Sequence, residues 1–170
     1  MSLEFITDIP IEIDIKLFHL DLNYQKLSNE VLSQKQTRLS NTPINSSFED
    51  TEFITPPNSE SEKFLNTISE FFYTKNHRIT EIWSHIHQPL ESTNTHIHSG
   101  SLFNKSFVFY AKVPKNSGKL VFTLEKIYYK TIPPVNGNLL LFPSWLPHYV
   151  TKNLSNDIRI SISGNVVPLE

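Results

Sequence analysis

Apolar Ile11, Ile13, Ile15 and Leu17 alternate with polar Glu12, Asp14 and Lys16, the period-2 pattern of a half-buried strand. Tyr24, Leu27 and Val31 then recur at helical spacing, which predicts a first amphipathic helix over 24–38. Residues 39–58 hold Pro43, Pro56, Pro57 and many Ser, Thr and Asn, and read as a long loop wrapped on the fold. Ser59 and Glu62 make a capping box for a second helix, whose apolar stripe is Phe64, Leu65, Ile68, Phe71 and Phe72. From Ile79 the texture changes to short β runs, predicted at 79–87, 95–98, 106–113, 119–124, 128–132, 138–142, 149–152 and 158–163. Asn116-Ser117-Gly118 and Asn136-Gly137 are hairpin signals between them. The pattern is mainly β with flanking helices, a sandwich or jelly roll in a single domain over 1–170. Residues 1–78 would pack on a core formed by 79–167.

Composition narrows the chemistry. The chain has 170 residues and a net charge of −2 with scattered lysines, so no basic stripe for nucleic acid is expected. No run approaches a membrane span, and no signal peptide opens the chain, so a soluble, cytoplasmic protein is the expectation. Seven histidines and no cysteine mean that any metal site uses imidazole and oxygen ligands.

His-Ile-His occurs twice, at His85-Ile86-His87 and His96-Ile97-His98. On a strand, residues i and i+2 share a face, so either pair could chelate one ion. The ordinary reading of one such pair is two hydrogen-bonded strand residues. The second pair is the better candidate, because it lies where a strand opens onto loops. A third ligand should come from a distant element, and His148 ends the run Phe142-Pro143-Ser144-Trp145-Leu146-Pro147-His148. Downstream, Arg159-Ile160-Ser161 puts a guanidinium and a hydroxyl on one face of an apolar strand. Either an internal salt bridge or a ligand carboxylate would satisfy such an arginine.

In order and spacing, these residues resemble the iron(II)- and 2-oxoglutarate-dependent oxygenases, in particular a group found in phages and marine bacteria. The pattern covers about residues 79–167: Trp83, His96-Ile97-His98, Ser106 to Pro114, Gly118 to Phe122, Phe142 to His148, and Arg159 to Ser161. The resemblance implies a double-stranded β-helix, a cupin-like jelly roll, with Fe(II) and 2-oxoglutarate as cofactor and cosubstrate. It implies His96 and His148 as metal ligands, Arg159 with Ser161 at the far carboxylate of 2-oxoglutarate, and Tyr110 within reach of it. Prolyl hydroxylases in the superfamily suggest hydroxylation of a peptide side chain. A phage-like origin would place the protein in a host cytoplasm, and a homodimer is compatible with the pattern.

Three departures change the picture. Most relatives use a carboxylate as second ligand, yet no acidic residue lies between Glu91 and Glu125. The second ligand is then His98, water, or a remote acid such as Glu125, and the missing acids favour the all-imidazole set His96, His98 and His148. Three imidazoles leave Fe(II) at +2, which the 2-oxoglutarate dianion would neutralise. Phe107 stands where many relatives carry Gly and would crowd the pocket. His85 replaces the Asn of a Trp-x-Asn strand and reads as pocket-lining; Trp145 is a candidate for the apolar wall. Two other classes stay open at this level: a three-histidine cupin-like dioxygenase that does not use 2-oxoglutarate, and a catalytically inactive jelly roll with a structural or binding role.

Overall fold

Every residue from Ser106 to Ala111 is buried, although side chains along a strand alternate between faces. A strand covered on both faces belongs in the middle of a layered structure. The computed structural model describes residues 13–34, 50–124 and 128–169 and places this strand accordingly. The described elements in chain order are β1 (Lys16–His19), α1 (Tyr24–Ser33), β2 (Asp50–Glu52), α2 (Glu60–Thr74), β3 (His77–His87) and β4 (Thr93–His96). They continue with β5 (Lys105–Lys112), β6 (Leu120–Leu124), β7 (Tyr128–Ile132), β8 (Asn138–Pro143), β9 (His148–Val150) and β10 (Arg159–Pro168). Six strands form one antiparallel sheet, β1-β8-β5-β10-β3-β2, and four form a second, β4-β9-β6-β7. This is the expected jelly roll with helices on one side.

Strand parity divides the apolar residues into two cores. Phe107, Phe109, Ala111, Leu139, Leu141, Ile160 and Ile162 leave the large sheet toward the helices, where Leu27, Val31, Phe64, Ile68 and Phe72 meet them. Val108, Tyr110, Leu140 and Phe142 leave by the opposite face and meet Leu120, Phe122 and Val150 of the small sheet. The polar residues of β3 and β10 that alternate with this first core therefore point between the sheets.

Helix α2 forms as its stripe predicts, with Phe64, Ile68 and Phe72 fully buried. Ser59 accepts from the Glu62 amide at 2.9 Å, while the Glu62 carboxylate reaches past Ser59 to the Asn58 amide at 2.7 Å. Glu30 of α1 completes the cap, accepting from the Glu60 and Ser61 amides at 3.0 and 2.8 Å. Helix α1 ends at Ser33; the Gln34 side chain then clasps the Ile54 backbone in both directions. The extension to Arg38 lies outside the described residues, as does 39–49 of the predicted loop. Its remainder contains β2, an unforeseen edge strand on β3, followed by buried Phe53 against Phe64. Strand β1 starts later than the alternation suggested, and Ile11 is outside the described residues. Leu17, on this edge strand, is 55% exposed.

Gly164 sits in β10 between Ile82 of β3 and Phe107 of β5. A Cβ there would come within 2.6 Å of the Phe107 ring and collide with the Glu81 carbonyl. Gly164→Ala is therefore expected to destabilise the fold by about 1–3 kcal/mol, read as a lowered urea midpoint. An unchanged midpoint would mean that the Phe107 ring can move aside freely.

Candidate metal centre and anion pocket

The small sheet brings the first two histidines together. β4 pairs with β9 so that His96 lies directly opposite His148, and β9 pairs with β6 so that His148 lies opposite Phe122. Strand β4 ends at His96, two residues before the predicted end, so His98 does not owe its position to strand alternation. Instead the His98 amide donates to the Ser144 carbonyl at 2.9 Å, which folds the chain back beneath the turn that leads to His148. The ring of His98 stacks on His148 at 5.1 Å and lies 5.5 Å from Trp83. One ring nitrogen from each of His96, His98 and His148 falls within 4.8 Å of the others. Among the described residues this is the only such cluster of potential metal ligands, and it contains no carboxylate. Glu125, the remote acid considered above, lies outside the described residues.

Two of the rings are already set for coordination. Nδ1 of His96 lies 2.8 Å from the Asn94 carbonyl, and Nδ1 of His148 lies 2.9 Å from the Leu146 carbonyl. A carbonyl only accepts, so each Nδ1 carries the proton and the lone pair sits on Nε2, the form a metal ion needs. Burial, with His96 next in weight, pushes the His148 pKa down to about 3. His148 is thus a neutral imidazole across the physiological range.

The same cavity continues inward from the cluster. Its wall on the large sheet is a ladder of paired positions, Trp83 with Ser163, His85 with Ser161, and His87 with Arg159. Of these, all but Trp83 line the cavity, together with Thr93 and the apolar Val108, Leu120, Phe142 and Val150. Arg159 is 1% exposed, and its Nε and Nη1 have no hydrogen-bond partner among the described residues. Its guanidinium lies 5.2 Å from the centre of the Tyr110 ring, whose buried hydroxyl also has no partner. A buried, unpartnered guanidinium is costly unless something anionic enters. Among the described residues, the internal salt bridge left open by the sequence does not form. Donor set and anion pocket therefore fit a divalent metal with a dicarboxylate beside it.

The other expected pocket residues divide. His85 lines the cavity, and its Nε2 accepts from Trp83 Nε1 at 2.8 Å. Phe107 borders the cavity but does not crowd it. Its ring leaves β5 on the helix side, 5.1 Å from Phe72, because positions 107 and 110 have opposite parity on one strand. Trp145 is half-buried against the inter-sheet core and does not line the cavity, since the Pro143–Leu146 turn carries it outward. Two residues of the cavity wall were missed. His87 is legible as the period-2 partner of His85, whereas Thr93, 2.8 Å from His87 Nε2, carries no sequence signal.

His87 and His148 make stability pH-dependent in the metal-free protein. Burial holds both folded-state pKa values below the ordinary 6.5, most strongly for His87, where Arg159 adds to it. Below pH 6.5 the unfolded chain binds protons that the folded chain refuses, so stability falls as pH drops. Between pH 7.5 and 5.5 the two groups together should remove roughly 2–3 kcal/mol. Urea midpoints at the two pH values check this, and equal midpoints would contradict it.

Comparisons with known proteins agree with this geometry. Residues 123–165 match the family model described as "Putative 2OG-Fe(II) oxygenase". No curated protein matches the chain in sequence. The fold is similar to a prolyl-4-hydroxylase from Pseudomonas putida, with 17% identity, TM-score 0.70, and 92% of this chain and 94% of that chain covered. It is similar to a prolyl hydroxylase from Trichoplax adhaerens in complex with a hypoxia inducible factor peptide fragment, with 17% identity, TM-score 0.67, and 91% and 83% covered. An oxidoreductase of the 2OG-Fe(II) oxygenase family from Burkholderia pseudomallei matches with 15% identity and TM-score 0.55, over 69% of this chain and 63% of that chain. No helix among the described residues is long and apolar enough to cross a membrane. The matched segment is thus similar to 2OG-Fe(II) oxygenases, and the jelly roll as a whole is similar in fold to such enzymes.

Proposed function

We propose that the protein is a dioxygenase that couples oxidation of 2-oxoglutarate to hydroxylation of a peptide side chain. The observation that carries this reading is Arg159, buried with no partner among the described residues for two of its nitrogens, in the cavity that the three histidines close. His96, His98 and His148 would hold Fe(II), and Arg159 with Ser161 and Tyr110 would hold the cosubstrate. When bound, the iron supplies oxygen activation coupled to decarboxylation of the keto acid.

The chain supplies everything around that chemistry. His148 is neutral, and His96 and His148 each have Nδ1 fixed by a backbone carbonyl, which leaves Nε2 for the metal. Arg159 neutralises and orients the distal carboxylate, and strengthens because no water screens it. Val108, Leu120, Phe142 and Val150 keep the space between the sheets apolar. A three-histidine enzyme that bound its substrate directly on iron would leave Arg159 without a role. The peptide substrate is an analogy to the prolyl hydroxylases of similar fold, one of which is complexed with a peptide. Incubation with Fe(II), 2-oxoglutarate and oxygen should yield succinate, faster with proline-containing peptides than with free proline. Succinate formation no higher than in His148→Ala would rule the reading out.

A further inference from the structure

Five histidines line the cavity, and the proposed function uses three of them as ligands. The deepest of the remaining two is His87, directly across the β3–β10 pairing from Arg159. It is 2% exposed, and its backbone carbonyl is tied down by Asn153 Nδ2 at 3.0 Å. Its ring is held at one end only, with Nε2 2.8 Å from Thr93 Oγ1 and no partner for Nδ1 among the described residues. Arg159 Nε and Nη1 are unpartnered beside it, so no bond joins ring and guanidinium. Two buried groups with unused polar atoms on adjacent strands, opening into one cavity, form half of a binding site.

We infer that His87, oriented by Thr93, donates a hydrogen bond from Nδ1 to the distal carboxylate of 2-oxoglutarate alongside Arg159; this rests on the cosubstrate reading above. With the Thr93 hydroxyl as donor to Nε2, the single proton of the neutral ring sits on Nδ1, the tautomer this role requires. The carboxylate then receives the guanidinium on one oxygen and the imidazole on the other. His87 acts as a positioning residue that selects for a second carboxylate on the keto acid. Thr93 acts through it.

Calorimetric titration of the Mn(II)-loaded protein, with 2-oxoglutarate and with 2-oxobutyrate, tests the assignment, because 2-oxobutyrate lacks the distal carboxylate. His87→Ala should weaken 2-oxoglutarate by about 10- to 100-fold, the range for a hydrogen bond to a charged group, and leave 2-oxobutyrate unchanged. His87→Asn should retain most of the affinity, since its amide nitrogen falls where Nδ1 was. Thr93→Val should show a smaller, equally selective loss, and these two variants carry the comparison should His87→Ala fail to fold. Unchanged 2-oxoglutarate affinity in His87→Ala, or equal losses for both keto acids, would overturn the assignment and leave the proposed function standing. A wild-type protein that takes up Mn(II) but neither keto acid would overturn both.

Discussion

His148→Ala is expected to weaken Fe(II) or Mn(II) binding by roughly 100- to 1,000-fold, the share of one ligand in a metal site. Of the three proposed ligands His148 is held most firmly: 4% exposed, fixed by Nδ1 to the Leu146 carbonyl, and in ring contact with His96 at 4.3 Å and His98 at 5.1 Å. His96→Ala should behave alike, because its Nδ1 is fixed in the same way. The informative contrast is His85→Ala. That residue lines the same cavity, yet its Nε2 is engaged by Trp83, so metal affinity should change little. Metal-induced shifts in the melting temperature read all three variants, and Trp83, 5.5 Å from His98, offers a fluorescence signal for occupancy. A His85→Ala loss as large as that of His148→Ala would place the metal elsewhere in the cavity.

Arg159→Met is expected to move stability and binding in opposite directions. The substitution keeps much of the volume and removes a charge that is 1% exposed with two nitrogens unpartnered. Replacing buried charges with apolar groups of similar size stabilises proteins by about 1–4 kcal/mol. A melting temperature several degrees higher should follow in the ligand-free protein. The same change should weaken 2-oxoglutarate by roughly 100-fold or more, since a charge-assisted, water-excluded pair is lost. A stabilised, non-binding variant is the mark of a residue retained for function at the expense of the fold. A lowered melting temperature would show instead that Arg159 is a structural residue.

The architecture was legible because its signals were local. The stripe Phe64, Ile68 and Phe72 and the Ser59 cap depend on neighbours within a few residues, and α2 appears where they place it. The β runs were found with shifts of a few residues, except that β10 continues to Pro168, five residues further than read. That extension depends on β3 and β5 offering partners on both sides, which no local pattern reports. Strand β2 was missed for the same reason: it exists by pairing with β3.

The site shows the same division. That His96 and His148 come together from distant segments could be anticipated, but His98 is placed by a backbone bond to Ser144 in another loop, not by the strand alternation assumed for it. Phe107 and Tyr110 could not both point between the sheets, and parity alone was enough to see it. Of the first His-Ile-His pair, His85 was read as pocket-lining but His87 was given no role, because nothing in the sequence reveals that β10 lays Ser161 and Arg159 beside the pair.

The central claim is that an all-imidazole metal centre and an arginine-held keto acid share one cavity. Anaerobic titration of the Fe(II) protein with 2-oxoglutarate tests it most directly, through the visible metal-to-ligand charge-transfer band of a chelated keto acid. The account predicts a saturable band in the wild type, loss of the band in His148→Ala, and a strongly right-shifted titration in Arg159→Met. Absence of the band in wild-type protein that binds Fe(II) would contradict it.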